Sequence, residues 1–113
     1  MGAREKKVEQ HLSASAYRCG GLARKWVCPG RSGVTDQIVI VPTTVEDLIK
    51  KLQSTYTPDT IIADVYFVEV KTDDGRISEV QAKEHNRLID KGAQVVIVHG
   101  EFGVNEFIGK VFK

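Results

Sequence analysis

Apolar residues recur along this chain in two rhythms, broken by turn residues, and together they predict a succession of elements. Val8, Leu12, Ala16 and Cys19 fall at spacings of four, four and three, one stripe of a helix over residues 4–19 that the Gly20-Gly21 pair ends. Leu22 to Cys28 can form a strand, and Pro29-Gly30-Arg31-Ser32-Gly33 after it has a loop composition. Gln37-Ile38-Val39-Ile40-Val41 is apolar on both faces, as in a strand covered on both sides. Thr44 and Asp47 are close to a capping box. The short helix they open runs to about Gln53, with Leu48, Ile49 and Leu52 as its apolar side. Residues 54–62 are polar and turn-like around Pro58-Asp59. Val65 to Val70 is a second β-rich run that acquires charges at its end, and Asp73-Asp74-Gly75 is a turn. Ser78 opens a helix with Gln81 at its third position, a full capping box, and Gly92 ends it. Gln94 to Val98 is another buried strand, and Val104 to Phe112 closes the chain as a short helix. The order is α, β, β, an inserted α, β, α, β, α. It predicts one mixed α/β domain over residues 1–113, a single mixed sheet flanked by helices, with an inserted helical segment at about 42–64.

Composition changes this picture little. At 113 residues, 42% apolar and 27% charged, the chain has the makeup of an ordinary globular domain. No apolar run reaches the roughly 18–20 residues of a membrane span, and no charged-then-apolar leader opens the chain. An intracellular location without a membrane partner is therefore expected. Cys19 and Cys28 make neither a disulfide framework nor a CxxC metal site, which suits a reducing interior.

Charge changes it more. The net charge is +1, but residues 1–31 hold seven basic and two acidic side chains, a local +5, against −4 over the remainder. A basic segment carrying Lys6, Lys7, Arg24, Lys25 and Arg31 beside an acidic remainder suits a polyanion-binding face next to a carboxylate pocket. A solvated helix surface would carry similar charges.

The candidate chemistry lies where charged residues replace apolar ones. Glu69 and Lys71 stand two apart at a strand end, so both face one side while Val70 faces the other. Asp36 stands at the mouth of the other central strand. If the two strands pair, Asp36 and Glu69 converge, and two carboxylates favour a hard divalent cation, Mg²⁺ or Mn²⁺. A lysine beside them can orient a metal-activated water or offset charge on a phosphorane-like transition state. The triplet alone is weak, since Glu5-Lys6-Lys7 repeats it.

The pattern as a whole is more specific. Val8-Glu9-Gln10-His11-Leu12, Gly20 to Gly30 and Gly33-Val34-Thr35-Asp36-Gln37-Ile38-Val39 form three blocks, and Tyr66 to Lys71 running into Gly75-Arg76-Ile77-Ser78 and Gln81 forms a fourth. In this order they resemble the virus-type replication-repair nuclease (VRR-NUC) family of the PD-(D/E)XK superfamily. The resemblance implies a restriction-endonuclease-like core of αβββαβ order and a metal-dependent endonuclease acting on DNA. It implies Asp36, Glu69 and the backbone carbonyl of Val70 as metal ligands, with help from Glu9, and Lys71 as the residue that positions the attacking water. Gln81 matches the glutamine opening the helix after the lysine strand, and Lys25 a basic residue that contacts the phosphate backbone. Thr35 replaces the usual proline before the acid, Cys28 replaces a residue usually serine, and the segment from Pro42 to Asp64 is longer than the family's tight turn. Small standalone members look like junction resolvases, so the expected substrate is branched DNA such as a four-way junction, cut by a homodimer without a small-molecule cofactor. The family also implies a phage or prophage source.

Other readings stand beside these. The fold could serve a flap or nick nuclease, or a DNA-binding or assembly module without turnover. Gln81 completes a capping box with Ser78, a role that needs no catalysis. His85 shares its helix's inner face with Ala82, Leu88 and Ile89 and reads as a packed or hydrogen-bonded histidine rather than a base. His11 and His99 lack spaced partners, and Trp26, Tyr66 and Phe67 read as core.

Overall fold

The computed structural model describes residues 3–27, 29–30, 33, 35 and 37–112. Asp36 and Arg31, named above as candidate site residues, lie outside the described residues, as do Cys28 and Val34. The chain forms two units, Met1–Thr60 and Ile61–Lys113.

The first unit holds α1 (Ala3–Arg18), β1 (Leu22–Lys25), β2 (Gln37–Ile40) and α2 (Val45–Thr55). Gly20 ends α1 with φ +89°, the left-handed conformation that glycine adopts at no steric cost. From there Gly20 N–H donates to the Tyr17 carbonyl and Gly21 N–H to that of Ala16, which satisfies two orphan carbonyls in a Schellman motif. The chain then doubles back into β1, which pairs antiparallel with β2 from Leu22↔Ile40 to Lys25↔Gln37. Among the described residues of this unit, Leu22 and Ala23 are the buried apolar ones. The strand stops at Lys25, three residues short of expectation. Val39 on β2 is exposed rather than covered on both faces, because α1 packs on β1 and a two-stranded ribbon has little width to shelter both sides.

α2 starts where its cap signal places it. The Thr44 side chain accepts the Asp47 N–H at 3.1 Å, and Glu46 and Lys50 pair one turn apart at 3.3 Å. Val45, Leu48, Ile49 and Tyr56 nonetheless leave its apolar side exposed. Beyond it, Thr57 and Thr60 close a turn: the Thr57 hydroxyl donates to Asp59 at 2.7 Å and holds that carboxyl below its ordinary pKa.

The second unit is β3 (Tyr66–Lys71), α3 (Glu79–Asp90), β4 (Gln94–His99) and α4 (Gly100–Val111). β3 and β4 run parallel, in register from Tyr66↔Gln94 to Lys71↔His99, so α3 is the crossover that parallel pairing requires. Both ends of α3 are fixed by local bonds. Ser78 and Gln81 exchange both capping-box hydrogen bonds, at 2.9 and 3.1 Å. At the other end Gly92, φ +90°, donates to Ile89 and Ala93 to Leu88, a second Schellman motif. Leu88 and Val98 are the buried core of this unit, whereas Ile89, expected on the inner face, is half exposed. α4 follows β4 without a loop and begins four residues earlier than expected, at Gly100.

The fold is thus α/β, with the expected element order and a mixture of strand senses. Its described strands pair two and two, one pair antiparallel and one parallel. Among the described residues no helix is long and apolar enough to cross a membrane.

Candidate active site

Period-two alternation along β3 puts Phe67, Glu69 and Lys71 on one face and Tyr66, Val68 and Val70 on the other. The second face meets α4, where the Tyr66 ring stands edge-on to Phe107 with centroids 5.4 Å apart. The first meets α3. There Glu69 Oε2 lies 3.8 Å from Lys71 Nζ, and Glu69 Oε1 lies 3.7 Å from Nε2 of His85. The three side chains are sheltered but not sealed, at 28%, 21% and 14% exposure for Glu69, Lys71 and His85. Each carboxylate oxygen therefore faces a different nitrogen at a distance longer than a formed hydrogen bond. The cluster sits at the carboxyl ends of the parallel strands, where open α/β sheets commonly take ligands.

Gln81 stands one turn before His85 on the same side of α3. Its Oε1 already accepts the Ser78 N–H, so acting as an oxygen ligand would mean opening the cap. The first unit holds a second acid–base pair. Glu9, on the half-buried border of α1 as its position predicts, has both oxygens 3.4 Å from Lys25 Nζ. Lys25, expected at the phosphate backbone, thus has its ammonium on the acid expected near the metal. Arg24 donates to the Ala23 carbonyl at 3.0 Å, while Lys6 and Lys7 are exposed along α1.

No family model matches the chain. It is 31% identical over 98 residues to a protein of Acyrthosiphon pisum secondary endosymbiont phage 1 named "Putative nuclease p44", a match covering 87% of this chain and 85% of that one. The chain belongs to the virus-type replication-repair nuclease family. A solved structure described as "VRR_NUC domain" is 26% identical and covers 99% of this chain and 100% of that one, with a TM-score of 0.37. Membership rests on the phage relative and on the four motif blocks rather than on that superposition.

For a VRR-NUC chain, the strand-end acid and lysine were the residues easiest to place from sequence, since alternation alone puts Glu69 and Lys71 together. His85 reads from sequence as packed or hydrogen-bonded, and the structure adds the neighbour that the sequence did not name, Glu69. A polar ring among Ala82 and Leu88, on the face of a crossover helix that must cover its own strands, was the available signal. Sequence spacing could not say which strand residue it would meet.

Proposed function

We propose that this VRR-NUC chain is a Mg²⁺- or Mn²⁺-dependent endonuclease that hydrolyses DNA phosphodiester bonds, with branched DNA such as a four-way junction as its substrate. The observation that carries the reading is Glu69 and Lys71 side by side, half sheltered, at the carboxyl end of β3 in a chain of this family. The donor chemistry fits a hard cation in kind, a carboxylate of which one oxygen is 3.8 Å from an ammonium and neither is closed into a short hydrogen bond. It is not complete in number, because among the described residues no three His, Cys, Asp or Glu side chains gather. The family resemblance, and not strand pairing, assigns Asp36, the Val70 carbonyl and Glu9 as the further ligands, since the described strands pair β1 with β2 and β3 with β4. A divalent ion bound there supplies Lewis acidity to the phosphate and to a water molecule. Lys71 orients that water for in-line attack and offsets negative charge as the phosphorus becomes five-coordinate. Lys25, Arg24, Arg31, Lys6 and Lys7 provide the non-specific grip on backbone phosphates.

A second copy of the chain would cut the symmetry-related strand. The inserted helix α2, with Val45, Leu48 and Ile49 all exposed, or the last residues of the chain would supply the contact between copies. An intracellular role in a phage-infected bacterial host accords with the phage relative.

The test is to incubate labelled four-way junction, flap and plain duplex with protein and Mg²⁺ or Mn²⁺, beside Asp36→Asn and Glu69→Ala. Junction cleavage by wild type alone is expected. Preferential cutting of the flap would replace the substrate assignment, and no cleavage of any substrate would favour a binding module.

A further inference from the structure

The long contact between Glu69 and His85 has a direction that the family pattern does not supply. Glu69 has three rotatable side-chain bonds and stands at a strand end, so its carboxylate needs something to fix its plane. Lys71 is a poor candidate by itself. Its ammonium sits on a flexible four-carbon stem, 3.8 Å from Oε2. His85 approaches the other oxygen, is the most sheltered of the three side chains at 14% exposure, and has only two side-chain torsions to hold. Its helix is also held in place. Gln81, one turn before it, is locked into the capping box. Leu88, one turn after it, is 6% exposed, and its carbonyl accepts the Schellman bond from Ala93. The ring is therefore the better-anchored partner of the pair.

We propose that His85 is a positioning residue for Glu69, donating its Nε2–H to Oε1 and fixing the orientation in which the carboxylate is presented to a divalent cation; this rests on the metal-dependent reading above. The neutral imidazole suffices. With a carboxylate facing Nε2, the tautomer carrying hydrogen on that nitrogen is the one selected. A small rotation of either side chain shortens the 3.7 Å separation to the roughly 3 Å of a formed bond, as groups around a site commonly do when their ligand arrives.

The experiment has two arms. In the metal-free protein, ¹⁵N shifts of the His85 ring should report the Nε2–H tautomer, and Glu69→Ala should change them. The Nδ1–H tautomer, or a ring indifferent to Glu69→Ala, would overturn the proposal however stable the variants prove. In the second arm, Mn²⁺ binding is measured by calorimetry, and junction cleavage by kinetics, for wild type, His85→Leu and His85→Gln. Leucine keeps the apolar bulk and should weaken Mn²⁺ binding roughly tenfold, with a similar loss of turnover. Glutamine, whose amide N–H can take the place of Nε2–H, should recover most of both. Wild-type-like Mn²⁺ binding by His85→Leu, or a His85→Gln protein no better than His85→Leu, would overturn the positioning role alone. A wild type that neither binds Mn²⁺ nor cleaves would remove the metal-dependent reading, and the role of His85 with it.

Discussion

The two ends of the β3–β4 pair are built in opposite ways from similar residue types. At the amino end, Asp64 accepts from Gln94 Nε2 at 2.6 Å and from the Tyr66 hydroxyl at 3.1 Å, and Gln94 also donates to the Val65 carbonyl at 3.0 Å. Partial desolvation of the ring, together with Asp64, raises the Tyr66 pKa above its ordinary value, and the ring edge contact with Phe107 closes the corner. Here one carboxylate has its hydrogen-bonding capacity engaged by the protein itself, joining the segment that leads into β3 to the start of β4 through residues 30 positions apart. At the carboxyl end, Glu69 has a nitrogen facing each oxygen, but at 3.7 and 3.8 Å. The first carboxylate is a latch within the protein, and the second, partly open to solvent, is the one proposed above to take a ligand. Stability thus belongs to one end of the strand pair and the proposed chemistry to the other.

Substitutions at the two ends should separate accordingly. Lys71→Ala should reduce junction cleavage by about a hundredfold or more, as loss of a group stabilising transition-state charge does, with little change in melting temperature. A Lys71→Ala protein as active as wild type would break the comparison from the functional side. Asp64→Ala should do the reverse, leaving cleavage rates near wild type at a temperature where the protein is folded and lowering stability by about 1–2 kcal/mol in urea unfolding. If Asp64→Ala abolished cleavage without destabilising the fold, the amino end would belong to the site. The smallest effect tests the frame of α3. Ser78→Ala removes one capping bond and should cost about 1 kcal/mol. It should also reduce turnover modestly if the helix start holds the face that carries His85.

Much of this was legible in the sequence because it depends on neighbours a few residues apart. Ser78 with Gln81, Thr44 with Asp47, and the glycines at 20 and 92 each announce a helix end through local hydrogen bonds, and each lies where its signal predicts. Alternation likewise placed Glu69 and Lys71 on one face. Local chemistry sets weaker limits on boundaries. The chain between Val98 and Val104 carries two glycines and no cap side chain, so nothing marked Gly100 as the start of α4. The covered-strand reading of Gln37–Val41 also went too far, because hydrophobic composition says what a strand can bury and not what arrives to cover it.

Contacts between distant residues were the illegible part. Glu9 and Lys25 are 16 positions apart, and both were assigned to the site separately; nothing in either segment showed that they would pair with each other. His85 lies 16 residues from Glu69, beyond a turn and half a helix. Only the parallel register and the crossover of α3 bring the two together.

The central claim is that Glu69 is the working carboxylate of this chain. The most direct measurement is the rate of Mg²⁺- or Mn²⁺-dependent cleavage of a labelled four-way junction by wild type and by Glu69→Ala, with thermal melts showing that both are folded. The account predicts cleavage by wild type and none above background by the variant at equal stability. Equal cleavage by the two proteins would contradict it.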